Sequence, residues 1–201
     1  MTPYYTNAQS YLDRARMLLK SEDKTSLMYA ALELRKCIEA RQMEYASALD
    51  ALKGQKLKPW NIDRVQAKLV GANAAGSIAH LTIESSEGRI ECFFVPVTEK
   101  LARAATRLGE YLHHREEFDP SNEQTWVEMR SFVVDTYRQA WLCCQGNMTT
   151  PLLMGEGNKM HPISLFVSDN EKMKRLLTVG KELAIEVRYL DKTPQEWMCD
   201  I

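Results

Sequence analysis

The sequence predicts a mainly α-helical protein: an antiparallel bundle of four to five helices with an inserted β-hairpin and a small C-terminal α/β appendage. Long segments place apolar residues at three- and four-residue steps, which puts them on one face of a helix. Two short segments, residues 77–83 and 89–95, are instead β-branched or aromatic and flank turn residues. We expect the bundle over residues 1–146 and the appendage over residues 147–201, packed on the bundle.

The N-terminal third predicts two helices. Asn7 or Thr6 can cap the first, and Thr25 or Ser26 can cap the second. An apolar seam at nearly 3.5-residue spacing follows the second helix as far as Gly54, which is typical of the central helix of an antiparallel bundle. The seam consists of Leu27, Ala31, Leu34, Ile38, Tyr45, Leu49 and Leu52.

A short third helix and a hairpin come next. The helix follows residues 58–61 and carries apolar residues at helical spacing. The hairpin spans about residues 77–95, because residues 85–88 supply a Ser-Ser-Glu-Gly turn between the two β-rich segments. His80 lies in the first strand, where a lone histidine more often packs across the strands than binds a ligand.

The second half of the chain predicts two further helices and then mixed structure. Thr98 is the expected N-cap of the fourth helix. Ser121 begins a capping box for the fifth, which runs to roughly Cys144. The appendage is predicted to contain three short strands and one helix, over residues 149–154, 160–167, 183–190 and 170–177 respectively.

Charge and cysteine usage exclude several classes of protein. The chain has 26 basic and 27 acidic residues, so an RNA contact would need a local patch. Its five cysteines form no Cys-x-x-Cys pair, and the vicinal Cys143 and Cys144 do not have metal-ligand spacing. We expect a cytoplasmic protein with reduced thiols in its core and no membrane span. No phosphate loop, HExxH motif or acidic cluster occurs, so we expect no metal or other cofactor.

The last part of the fourth helix carries the candidate chemistry. We expect the helix to continue through His114, which places Arg107 and His114 about 20° apart in projection and His113 about 120° from Arg107. Arg103 and Glu110 share the polar face of Arg107. A fixed cation and a titratable imidazole can hold a phosphate and move a proton, which are the minimum requirements for metal-free phosphodiester cleavage.

The same polar face also fits an ordinary solvated helix surface. Glu110 and His114 form an i,i+4 pair, which stabilises a helix by only a few tenths of a kcal/mol. Arg35, at the edge of the second helix's apolar seam, has a structural interpretation too. We expect it to pair with a carboxylate such as Glu33 or Glu39, because an arginine at the edge of a bundle usually pairs or extends to solvent.

Two segments resemble the HEPN superfamily: Ala-Ala-Leu-Glu-Leu-Arg-Lys-Cys-Ile-Glu at residues 30–39 and Arg-Leu-Gly-Glu-Tyr-Leu-His-His at residues 107–114. The resemblance covers roughly residues 5–145. Members are small helical bundles that commonly dimerise. Many are metal-independent endoribonucleases of toxin–antitoxin or antiviral defence systems, and others are inactive and bind partners. The active motif is an Arg, four to six residues, and a His; Arg107 fits it with either His113 or His114.

The resemblance implies RNA as the substrate and attack of a 2′-OH on its own phosphate, which leaves a cyclic phosphate and a 5′-OH. Arg107 would stabilise the charge of the phosphorane, and His114 would transfer protons. Glu110 would raise the basicity of His114, and His113 would be the other motif histidine or would orient the following loop. Arg103 is the candidate substrate-binding residue. A homodimer would supply a second Arg–His pair.

One position departs from the active motif. The residue after the motif arginine is usually polar in active members, whereas this chain has Leu108, which also belongs to the apolar stripe of the helix. This departure favours the alternative function, a non-catalytic HEPN-like module that dimerises or docks a protein partner such as an antitoxin. The sequence leaves both functions open.

Overall fold

The computed structural model of the chain describes residues 5–49, 52–72, 76–86, 88–113, 119–151 and 184–201. Within these residues the protein is mainly helical, with five α-helices and one small antiparallel sheet of three strands. The helices are α1 (Ala8–Leu19), α2 (Lys24–Ala48), α3 (Ile62–Gly71), α4 (Glu99–Tyr111) and α5 (Glu123–Gln145). The strands are β1 (Ile78–Ser85), β2 (Gly88–Phe94) and β3 (Ala184–Leu190).

Helix α2 is the centre of the packing, since it contacts α1, α3, α4 and α5. All seven residues of its predicted apolar seam are buried, with no more than 6% of any residue's surface exposed. The helix itself ends at Ala48, before Gly54, and Leu49 and Leu52 are buried in the core although they lie beyond its last residue. The apolar pattern therefore reports burial correctly but overestimates the length of the helix.

Side-chain caps begin each helix, and two of them differ from the prediction. Asn7 and Thr98 cap α1 and α4 as expected. Helix α2 is capped by Asp23, whose carboxylate accepts a hydrogen bond from the backbone N–H of Ser26 at 2.8 Å. Hydrogen bonds from Ser21 and Ser26 lower the pKa of Asp23 to about 2.

The cap of α5 is Asn122 instead of the predicted Ser121. The hydroxyl and the backbone N–H of Ser121 donate to a carboxylate oxygen of Asp119, at 2.7 and 2.9 Å. Asn122 accepts a hydrogen bond from the N–H of Gln124 instead. Because Ser121 is already bonded to Asp119, the helix begins one residue later.

The predicted hairpin is present and gains a third strand. Strand β1 pairs antiparallel with β2 on one side and with β3 on the other, which gives the order β2-β1-β3. His80 lies opposite Phe93, and their rings stack with centroids 4.2 Å apart, which confirms cross-strand packing. The predicted strand over residues 183–190 corresponds to β3 and therefore extends the hairpin's sheet.

The rest of the predicted appendage lies mostly outside the described residues. Residues 149–151 are described and form no strand. The remainder of the first predicted strand, the strand over residues 160–167 and the helix over residues 170–177 are not among the described residues. After β3, Cys199 and Ile201 pack against the core. None of the described helices combines the length and apolar character that a membrane crossing requires.

Candidate functional site at the end of α4

Helix α4 separates an apolar face from a charged one. Leu101, Ala105 and Leu108 are buried, and Leu108 has no exposed surface. Arg103 and Arg107 lie on the exposed side. Because these residues recur at three- and four-residue steps, the packing of the apolar face against α2 fixes which way the arginines face.

The guanidinium of Arg107 lies against aromatic rings from two helices. Its central carbon is 4.4 Å from the centroid of the Phe132 ring on α5 and 5.9 Å from that of Tyr111 on α4. Its Nη2 donates a hydrogen bond to the hydroxyl of Tyr111 at 3.2 Å. Cation–π contacts and this bond hold the planar group in one orientation while the side chain remains exposed.

Helix α4 ends earlier than predicted. Its last residue is Tyr111, and the N–H of Leu112 bonds to the carbonyls of Gly109 and Glu110. The N–H of His113 bonds to the carbonyl of Glu110 at 3.3 Å. The helix therefore ends in hydrogen bonds between residues three apart, as in a 3₁₀ turn. The prediction that α4 continues through residue 114 was therefore wrong. The angle of about 20° between Arg107 and His114 assumed that longer helix and no longer applies.

The predicted site residues are only partly brought together. Glu110 is on the exposed side of α4 with Arg107, and His113 is exposed just beyond the helix. Arg103 pairs with Glu99 at 3.1 Å, one turn toward the start of the helix. His114 lies outside the described residues. The described part of the site is therefore an oriented arginine beside Tyr111, with one histidine after the helix end.

Arg35 of α2 passes directly over α4 at Gly109. A Cβ atom at Gly109 would lie 1.4 Å from Nη1 of Arg35, so any other residue here requires the guanidinium to move. Nε of Arg35 bonds to the buried Glu39 at 3.0 Å, and Lys36 reaches the other carboxylate oxygen at 2.9 Å. Pairing of Arg35 with Glu39 is thus confirmed, whereas Glu33 binds Arg14. Gly109 lies within the amphipathic helix α4, and a glycine in such a position is the sequence feature that could have indicated the close approach of Arg35.

A second polar centre, built around Arg41 of α2, was not predicted. Its guanidinium is buried and donates to the carbonyls of Cys143 and Gly146 at the C-terminal end of α5. It also pairs with Glu44 at 3.1 Å, and Glu44 accepts the N–H of Ala8 at the start of α1. The sequence gives no signal for this centre, because Arg41 and the carbonyls of Cys143 and Gly146 are 102 and 105 residues apart in the chain.

A cavity of about 310 Å³ lies beside this second polar centre. Polar and ionisable residues from α2, from the end of α5 and from the N-terminus of α1 line it. They are Asn7, Gln9, Arg41, Glu44, Cys144, Gln145, Gly146 and Asn147.

The part of the chain that the structure describes contains no group of three His, Cys, Asp or Glu residues placed to hold a metal ion. Comparison with known proteins gives no match: no family model, no curated protein and no solved structure is similar enough to the chain. A functional assignment therefore depends on the residues themselves.

Proposed function

We propose that this chain is a HEPN-like, metal-independent endoribonuclease whose reaction centre is at the end of α4. The observation that carries the proposal is the guanidinium of Arg107, exposed to solvent and held against Phe132 and Tyr111. An oriented, permanently charged planar donor is suited to a phosphate in which negative charge develops. Because its orientation is fixed beforehand, binding would cost little side-chain entropy.

The proton transfers are assigned to the histidines after the helix. An imidazole can accept and donate protons near neutral pH, as 2′-OH attack and departure of the 5′-oxygen both require. His113 is exposed and lies two residues beyond Tyr111, which binds Arg107. His114 is the other motif histidine and remains the preferred proton carrier. Arg103 and Glu110 complete the proposed site, as a substrate contact and as a carboxylate beside the histidines.

The proposed assembly is a cytoplasmic homodimer. We propose that the five helices form the antiparallel bundle of the HEPN superfamily and that two copies bring their α4 ends together. One Arg–His pair is sparse for two proton transfers, and a second pair across a two-fold axis would supply the missing group. In this proposal the physiological role is that of a toxin or a defence effector.

A second function is favoured by Leu108. The motif position after Arg107 has no exposed surface and belongs to the core, so it adds no polar group to the site. The guanidinium of Arg107 also has partners within the chain, Tyr111 and Phe132. Both observations fit a non-catalytic HEPN-like module in which Arg107 fastens α4 to α5 and the surface docks a protein partner such as an antitoxin.

The test is an RNA cleavage assay in the presence of EDTA with the full chain. We expect wild-type protein to cleave RNA, and Arg107→Ala to reduce the rate by ~100-fold or more, as loss of a charge-stabilising donor does. His114→Ala should reduce it similarly. The matched control is Arg89→Ala, an exposed arginine on β2 that pairs with Glu91.

Two outcomes would overturn the proposal. The first is wild-type protein that leaves RNA intact at high enzyme concentration, which selects the non-catalytic module. The second is cleavage that Arg107→Ala and Arg89→Ala reduce equally, which would place the activity elsewhere. Melting temperatures of all variants must match that of the wild type, so that unfolding is not mistaken for loss of activity.

A further inference from the structure

Two cysteines from different helices meet beside the cavity at Arg41. The sulfur of Cys37 on α2 lies 3.8 Å from the sulfur of Cys144 on α5. Cys37 is buried, with 1% of its surface exposed, whereas Cys144 is partly exposed and lines the cavity of about 310 Å³. A disulfide bond holds its sulfurs about 2 Å apart, so its formation must bring these two sulfurs about 2 Å closer.

We propose that Cys144 is a peroxide-reactive cysteine and that Cys37 is its resolving partner, so that oxidation ties α2 to the end of α5. The two thiols then form a modification site separate from the end of α4. Its substrate is a small peroxide, hydrogen peroxide being the simplest, which the cavity has room to admit.

The surroundings of the pair assign the roles. The cavity gives solvent access to Cys144 and none to Cys37. The hydrogen bond between Cys37 and Cys144 and the nearby charge of Arg41 lower the pKa of Cys144. The same hydrogen bond and burial raise the pKa of Cys37 well above its ordinary value. The thiolate is the form that attacks a peroxide, and of the two sulfurs Cys144 is both the accessible one and the one with the lowered pKa.

The proposed reaction has two steps. The thiolate of Cys144 attacks one peroxide oxygen, the O–O bond breaks, and the leaving alkoxide or hydroxide takes up from solvent the proton that the Cys144 thiol had released. Cys144 is now a sulfenic acid. The sulfur of Cys37 then attacks the sulfur of Cys144, and the sulfenic oxygen leaves as water after accepting the proton of Cys37. Two thiols are oxidised by two electrons to a disulfide, and the peroxide is reduced to one alcohol or water molecule plus one further water.

Cys143 is adjacent in sequence but faces another way. Its sulfur lies 3.4 Å from the carbonyl oxygen of Val95 and 3.9 Å from the hydroxyl of Tyr45. Burial raises the pKa of Cys143 to about 12, so it stays a thiol. Neighbouring side chains on a helix also point about 100° apart. Cys37 is therefore a better placed partner for Cys144 than Cys143 is.

The test is peptide mapping of the reduced full chain after graded hydrogen peroxide and alkylation of the remaining thiols. We expect a linked pair of peptides containing Cys37 and Cys144, lighter by two hydrogens, at the lowest effective peroxide concentration. The linked species should migrate differently on a non-reducing gel. Cys199→Ser is the matched control, since Cys199 is also partly exposed, and this variant should link normally. Cys144→Ser should not link.

Replacement of Cys37 tests the order of the steps. In Cys37→Ser, Cys144 should remain a sulfenic acid and react with dimedone. Because Cys37 is in the core, this variant can fail to fold, so a second measurement uses the wild type. There, a limiting amount of maleimide should label Cys144 before Cys199. Labelling of Cys199 first, a disulfide between Cys143 and Cys144, or a Cys144 that stays reduced while Cys199 is oxidised would each overturn the proposal.

Discussion

Arg41 on α2 and the carbonyl oxygen of Cys143 on α5 are joined by two hydrogen bonds, of 2.7 Å from Nη2 and 3.1 Å from Nε. The buried guanidinium thus neutralises the negative end of α5, where backbone carbonyls have no partner in the helix. Glu44, paired with Arg41, accepts an N–H at the positive end of α1. One ion pair therefore connects two helix ends through α2.

Arg41→Met should destabilise the protein strongly. The substitution keeps an apolar stem of similar length but leaves the carbonyls of Cys143 and Gly146 without a donor and Glu44 without its cation. We expect a loss of about 2–4 kcal/mol in the free energy of unfolding, measured by urea denaturation. The control is Arg138→Met, an exposed arginine about two turns before the end of α5 that pairs with Asp135 and bonds to the carbonyl of Ile201. It should cost under about 1 kcal/mol; equal losses would contradict the account.

Gly109→Ala should destabilise the protein although alanine is the better helix former. The new Cβ would lie 1.4 Å from Arg35 Nη1, so the guanidinium must move, and we expect the move to weaken its bond to the buried Glu39. We expect a net loss of about 1–2 kcal/mol in urea denaturation, because the disrupted pair outweighs a gain of up to ~1 kcal/mol in helix propensity.

The same substitution in an Arg35→Ala background provides the control for Gly109. With no guanidinium over α4, the added methyl meets no obstacle, and Gly109→Ala should then stabilise the protein by about 0.5–1 kcal/mol. A change of sign between the two backgrounds is the expected result. If the substitution is destabilising by the same amount in both, the crossing of Arg35 over Gly109 is not the cause.

Stability should fall at alkaline pH partly through Tyr137. Burial raises the pKa of its hydroxyl from 10.0 to about 12. Below pH 10 the Tyr137 hydroxyl is protonated in both the folded and the unfolded chain, so its contribution to the free energy of unfolding is fully present. Between pH 10 and 12 the unfolded chain loses the proton first, so stability is lost as pH rises, by about 1.4 kcal/mol for each pH unit of difference in pKa. Urea denaturation of Tyr137→Phe should show a shallower decline over this range.

The exposed Tyr189 supplies the comparison for Tyr137, since 62% of its surface meets solvent. Tyr189→Phe should leave the alkaline decline unchanged. An unchanged decline in Tyr137→Phe would mean that other buried groups, such as Cys143, dominate the loss.

Tyr111→Phe should lower RNA cleavage without lowering stability. The substitution keeps the ring beside Arg107 and removes only the hydroxyl that accepts its hydrogen bond. We expect a several-fold decrease in the cleavage rate, because the guanidinium is less well oriented, with a melting temperature near that of the wild type. The measurement is a cleavage time course in EDTA. An unchanged rate would show that the hydrogen bond from Arg107 to the Tyr111 hydroxyl does not position the guanidinium.

Much of the fold could be predicted, because the elements depend on local patterns. The seam of α2 predicts which of its residues are buried, and the β-branched and aromatic segments around a turn predict the hairpin; the structure contains both. The helix ends were less accurate. Asp23 displaced the expected caps of α2, and Asp119 engaged Ser121 before it could cap α5. Several residues near each end could cap the helix, and contacts outside the helix decide between them.

Only those residues of the candidate site that lie close together along α4 could be predicted from the sequence. Arg103, Arg107 and Glu110 lie on the exposed side of α4 because helical periodicity fixes their direction. The aromatic support of Arg107 comes from Phe132 on another helix, and the Arg41 centre joins three helices. Such contacts depend on how the helices pack, which no spacing along the chain reports.

The most direct test of the proposed nuclease uses an oligonucleotide with a single ribose in an otherwise 2′-deoxy strand, incubated with the protein in EDTA. We predict one cut, 3′ to the ribose, that leaves a 2′,3′-cyclic phosphate and a 5′-OH and that disappears with Arg107→Ala. Cleavage of an all-deoxy strand, a 5′-phosphate product or an undiminished rate in the Arg107 variant would contradict the account.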